Sequence, residues 1–299
     1  MWGFCGAVLF CGLLVMYPTQ CRLWAGEAIV DWAINVTPSL FPFLMVLPYL
    51  CTEEARGVYR ALLGWLPRLF GLPGEAAGPM AVGMLAGSPA GAAAVSRSAG
   101  GMTRSQTLRL SVLASGAGPA FYVSFVGGAL LGDGGAARRM WLCQCLAAGA
   151  AAWMVRACVR DGERIETEAG ETGWTHPVTR AAGQMLVIGG FMTLFSVAGG
   201  ALCRYLGEEY RPFIMAALEM TGGARAVAGA SMAAEWKRAL LGAACAFGGA
   251  SICAQCMAEL KKAGVRTGEY VCAKLIHGIV DFWLILGAER VQKLFSIGG

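Results

Sequence analysis

Apolar runs broken by short polar joints dominate the chain. A helix needs about 20 apolar residues to span a bilayer. Runs of that kind are expected at residues 1–17, 34–51, 137–157, 181–206, 237–259 and 268–288. Shorter or interrupted runs lie between them, at 58–72, 76–95, 106–132 and 212–230. The convincing polar linker is VRDGERIETEAGETGWTHPVTR, residues 159–180. It separates a first half, 1–158, from a second, 181–299. The pattern predicts an all-α polytopic integral membrane helix bundle with two related halves. About eight crossings and two broken or re-entrant helical hairpins are expected. The opening MWGFCGAVLFCGLLVMY lacks a basic leader region and is read as a retained first helix.

Each half carries a Gly-rich break, a small-residue helix, a basic turn and a further apolar helix. The pairing of GMLAGSPAGAAAVSRSAGG with CAFGGASICAQCMAELKKAG implies a repeat offset of about 163 residues. Matching interrupted segments in two halves point to a secondary transporter with its site at the repeat interface. Whether the repeat is inverted stays open, because Lys and Arg do not sort the loops into two sides.

Composition supports the membrane reading. The chain is 57% hydrophobic and 14% charged, against about 25% charged in soluble domains. Its 43 glycines suit close helix approach in lipid, where the hydrophobic effect does not drive helix association. The net charge of +5 is explained by arginines at segment ends, and no nucleic-acid motif appears. Most of the 12 cysteines lie in apolar runs, where cysteine behaves as a small hydrophobe. Cys253 and Cys256 form a C-x-x-C without a second pair at zinc spacing. With no nucleophile–base pair, Walker motif or metal cluster, neither an enzyme nor a cofactor is expected.

Candidate chemistry sits at the interruptions. Gly83, Gly87 and Gly91 recur every four residues and are expected to form one close-packing face. Ser88-Pro89, beside Gly87, is the expected helix break. Ser115 and Gly116 open a second break, SGAGPAF. Glu219, Thr221 and Gly222 interrupt the apolar run at 212–230. An intramembrane carboxylate there is a functional hypothesis; pairing with Arg225 is the bland alternative. Ser251 and Gln255 share a helix face. Lys274, His277 and Asp281 form an ionisable stripe expected to face the bundle interior. On this reading Asp281 pairs with His277, and a protonated His277 helps neutralise a carboxylate ligand or relays a proton. The expected partners are a small anionic substrate and the lipid bilayer; a homo-oligomer stays open.

The segments NVTPSLFPFLMVLPYL, MAVGMLAGSPAGAAAVSR, SGAGPAF, LEMTGG, FGGASICAQ and AKLIHG, in this order, give the chain a family likeness. It resembles the YlbJ-type sporulation integral membrane proteins, built on nucleoside-recognition gate domains. Relatives often carry an aromatic at the position of Ser88 and polar amides before the Gly-Pro turn; here that turn reads Ala114-Ser115-Gly116-Ala117. The resemblance implies paired re-entrant hairpins and a place in the outer forespore membrane of a spore-forming bacterium. It also implies movement of dipicolinic acid from the mother cell into the spore. A nucleoside-type permease on the same scaffold and a non-transporting scaffold for spore-envelope assembly remain the alternatives.

Overall fold

A computed structural model describes residues 2–159, 162 and 176–297. Most of the polar linker lies outside the described residues. All regular structure among them is helical. The first half runs α1 (Trp2–Met16), α2 (Pro18–Asp31), α3 (Thr37–Leu50), α4 (Glu53–Leu63), α5 (Trp65–Arg68), α6 (Ala77–Ala86), α7 (Ala90–Ser98) and α8 (Arg104–Ala114). A π-helical segment, Phe121–Leu131, and α9 (Gly134–Cys158) complete it. The second half runs α10 (Pro177–Leu206), α11 (Arg211–Leu218), α12 (Met220–Gly229), α13 (Ala234–Phe247), α14 (Gly249–Leu260) and α15 (Thr267–Ile297).

Among the described residues, five helices are long and apolar enough to cross a membrane: Pro18–Leu50, Gly134–Cys158, Pro177–Leu206, Ala234–Ala263 and Thr267–Lys293. The chain is an all-α multi-pass bundle. The first of these spans starts 16 residues before the expected position 34. Its early turns contain Asp31, which is buried against Arg225, so a charge that appeared to exclude the segment is paired inside the bundle. The lower number of long spans reflects the interrupted elements, which fold into shorter helices.

Three glycines explain the sharpest bend. α6 and α7 do not continue one another; they fold back as a hairpin through Gly87, whose φ of +73° favours glycine. A Cβ on Gly91 would sit 2.8 Å from the Gly83 Cα and 1.8 Å from the Ala114 carbonyl oxygen. A Cβ on Gly83 would meet the same oxygen at 2.3 Å. Gly83 and Gly91 therefore do not line one helix face, as their spacing suggested. They face each other across a turn, and the end of α8 presses into the gap. A second hairpin, α11–α12, is built likewise: a Cβ on Gly223 would lie 2.5 Å from the Ala216 Cα.

The two hairpins set the register of the repeat. Their tips, Ser88 and Glu219, are 131 residues apart. The next breaks, at Gly116 and Gly248, differ by 132, and the starts of α9 and α15, Gly134 and Thr267, by 133. The internal repeat is thus offset by about 132 residues, not 163, with α4 and α5 as an insertion in the first half. The expected register matched the α6–α7 hairpin to α13–α14, which actually correspond to α8 and the π-helical segment. The two are nevertheless neighbours: Ser96 on α7 donates to the Glu259 carbonyl on α14 at 3.0 Å.

Equivalent helices run in opposite directions. Tyr17 meets Tyr205, Trp24 packs on Gly200, and the Trp32 indole donates to the Met185 carbonyl at 2.9 Å, so α2 is antiparallel to α10. At one end of the other pair, Arg238 lies between Asp133, before α9, and Glu289 on α15. Further along, His277 meets the Gln144 carbonyl, which makes α9 and α15 antiparallel too. The halves are inverted relative to each other.

Candidate functional site

Inversion brings the two hairpin tips together around one cavity. Ser88 and Pro89 enter from the first tip, and Glu219, Met220 and Thr221 from the second. Ala117 and Gly118 of the α8 break, Ile252 of α14, and Ser39, Phe43 and Met192 complete the lining. The cavity holds about 50 Å³, room for a few water molecules and below the range of small-molecule sites, so in this arrangement the tips are closed on each other and must part to admit a solute.

Each tip has its own support. At the first, the Ser88 amide donates to the Gly116 carbonyl at 2.9 Å, which ties the hairpin to the α8 break. Pro89 then caps α7, where its missing donor costs nothing. At the second, Glu219 caps α12. Its carboxylate accepts from the Thr221 amide at 2.9 Å and from the Gly222 amide at 2.6 Å. The carboxylate sits at the positive end of the α12 dipole, which offsets part of its burial cost. The alternative pairing with Arg225 is not formed. Arg225 reaches Asp31 on α2 instead, its Nε donating to Oδ2 at 3.2 Å.

The α8 break exposes backbone groups that lipid cannot satisfy, so side chains must. Gln144 on α9 spans Ala117: Nε2 donates to its carbonyl at 2.9 Å, and Oε1 accepts from its amide at 3.2 Å. The same Oε1 accepts from the Tyr122 hydroxyl at 3.2 Å. Ser115 Oγ donates to the Ser111 carbonyl at 2.5 Å and accepts from the Tyr270 hydroxyl at 2.9 Å. The Lys274 ammonium donates to the Ser115 carbonyl, placing a cation at the negative end of α8.

Lys274, His277 and Asp281 are wholly buried on α15, and the expected His277–Asp281 pair is absent. His277 Nε2 lies 3.0 Å from the Gln144 carbonyl, and Nδ1 lies 3.4 Å from the Lys274 ammonium. A carbonyl only accepts, so Nε2 carries the proton and Nδ1 accepts from Lys274. A protonated ring would set a donor against that ammonium, so in this arrangement the neutral ring is the one both partners fit. The mismatch arises because Lys274, at i−3, competes for the ring from the same helix face as Asp281.

The expected site residues therefore fall into groups. Ser88, Pro89, Glu219 and Thr221 line the inter-tip cavity; Gly87 and Gly222 shape the tips. Ser115 and Lys274 hold the α8 break. Gly116 and His277 line a second, more open cleft of about 550 Å³ beside Gln144 and Trp141. Ser251 and Gln255 bond to each other at 3.2 Å on α14 and line neither cavity. Cys253 and Cys256 are buried free thiols, and among the described residues no group of three metal-binding side chains occurs. Gln144 and Asp31 were missed. Gln144 is a polar residue inside the apolar run 137–157, the signal that did single out Glu219; Asp31 lies just before the run 34–51, in a stretch that also holds Arg22 and Glu27. No protein-family model, curated protein or solved structure matches this chain.

Proposed function

We propose that the chain is a secondary transporter that moves a small molecule through the cavity between its hairpin tips. The observation that carries this reading is the meeting of two broken elements, one from each inverted half, around a single cavity. Inverted repeats with interrupted helices at their interface are the architecture that lets one site open alternately to each side.

Dipicolinate, the substrate that the YlbJ-type resemblance implies, is the first candidate, and the outer forespore membrane is the setting that goes with it. A planar aromatic dianion suits the two rings in the lining, Phe43 and Phe121. Its carboxylates would meet the N-terminal end of α7, where helix dipoles favour anions. A second reading rests on Glu219. Its carboxylate lines the same cavity, opposes an anion and supplies acceptors for hydroxyl or amino groups, which favours a neutral nucleoside.

The test is uptake into liposomes holding the purified protein, with labelled dipicolinate and uridine in parallel. Saturable dipicolinate uptake that unlabelled dipicolinate inhibits and uridine does not supports the first reading. The reverse selectivity establishes the second. Flux of neither solute above empty liposomes counts against both.

A further inference from the structure

Asp281 is a buried acid that the inter-tip cavity does not use. It is 0% exposed, and neither carboxylate oxygen has a hydrogen-bond partner. An ionised carboxylate in such a place is costly unless paired and hydrogen-bonded.

Its surroundings are defined on every side. From its own helix, Lys274 lies two turns earlier, bonded to Ser115 and His277. Tyr122 of the π-helical segment, Cys143 and Cys145 of α9 and Cys245 of α13 lie close enough to feel its charge. Two turns further along, Glu289 is paired with Arg238 of α13. Gly242 makes the seat: a Cβ there would lie 2.9 Å from Asp281 Oδ2 and 2.0 Å from Ile285 Cδ1. Hard cations such as sodium or calcium call for several oxygen ligands. The groups around Asp281 are thiols, a phenol already bonded to Gln144, and aliphatic side chains. A proton needs no such cage, and binding one turns the carboxylate into a neutral acid that tolerates this seat.

We propose that Asp281 binds the coupling ion of the transport cycle, and that this ion is a proton. The step is carboxylate plus proton to carboxylic acid, with the proton taken from the aqueous phase on one side and released on the other. This inference rests on the transporter reading. Its link to the cavity starts with charge and continues through contacts already described: the charge of Asp281 acts on Lys274 two turns away without contact, Lys274 holds the Ser115 carbonyl, and the Gly116 carbonyl next to it holds the Ser88 amide at the hairpin tip.

Two measurements on the full chain in liposomes test it. Dicyclohexylcarbodiimide modifies protonated carboxyl groups in apolar surroundings, and mass spectrometry locates the adduct. Labelling at Asp281 is expected to rise as the pH is lowered, with Asp281→Asn unlabelled at that position. In the second, a one-unit pH gradient is imposed with the membrane potential clamped. One coupled proton then supports about a tenfold accumulation of the transported solute. Wild type is expected to reach that ratio, and Asp281→Asn to exchange solute without accumulating it. Absence of carbodiimide labelling across the range, or gradient-driven accumulation by Asp281→Asn, overturns the proposal. Exchange by wild type that ignores the gradient also overturns it while sparing the transporter reading; no exchange by wild type removes both.

Discussion

Replacing Gln144 with Leu tests how the break in α8 is held. Gln144 is 3% exposed and serves the Ala117 amide, the Ala117 carbonyl and the Tyr122 hydroxyl. Leu fills similar volume and satisfies none of them. If each loss cost only the membrane average for a side-chain hydrogen bond, about 0.6 kcal/mol, the total would be about 2 kcal/mol. That average assumes that freed groups find other partners. The Ala117 peptide cannot, because the helix that would have bonded it is interrupted. Leaving a buried donor or acceptor unmade costs about 1–3 kcal/mol each. The expected destabilisation is therefore about 2–5 kcal/mol, read from reversible unfolding in mixed micelles. Gln144→Glu keeps the acceptor for Ala117 N–H and Tyr122 but loses the donor, and is also expected to destabilise. A Gln144→Leu protein within about 0.5 kcal/mol of wild type, the range of a neutral surface change, would refute this account of the break.

Gly91→Ala is expected to destabilise by about 1–3 kcal/mol or more, since its Cβ would overlap the Ala114 carbonyl. Gly190→Ala, inside α10 where nothing lies within 4 Å, serves as the control in the same unfolding measurement and is expected to be neutral or to stabilise by up to about 1 kcal/mol. A double-mutant cycle between Asp31→Asn and Arg225→Gln is expected to give a coupling on the order of 1 kcal/mol, because the Arg225 side chain is 56% exposed. Lys274→Met is expected to lower exchange transport at matched membrane abundance, because it frees the Ser115 carbonyl beside the first tip. Unchanged rates would show that the α8 break does not depend on this cation.

What the sequence made legible follows from which signals are local. Apolar run length announced a membrane bundle, and Gly87-Ser88-Pro89 and Glu219 announced breaks, since each of these alters the backbone or burial cost where it stands. The repeat register was not legible. Small-residue stretches resemble one another, so α6–α7 aligned as well with α13–α14 as with its true counterpart, α11–α12. The glycine spacing misled for a related reason: a period of four reads as one helix face only while the helix continues, and Gly87 turns it back. Gln144 lay in a run apolar enough to hide a single polar residue, and Asp31 in a polar-dotted stretch that read as a joint between runs. Their roles depend on Ala117 and Arg225, which are distant in sequence. The His277–Asp281 pairing failed because helical spacing names the residues that share a face, and Lys274 competed for the ring.

The central claim, that the hairpin tips close on the transport site, is tested most directly by linking them. Ser88→Cys and Thr221→Cys are introduced together, with Cys5, Cys11, Cys158 and Cys272, all exposed, replaced by Ala. A short bifunctional methanethiosulfonate reagent is then applied to proteoliposomes during uptake. The account predicts that the double variant forms an intramolecular cross-link and loses transport, that reduction restores it, and that each single variant keeps its flux after treatment. A cross-linked protein that transports at the untreated rate would contradict it.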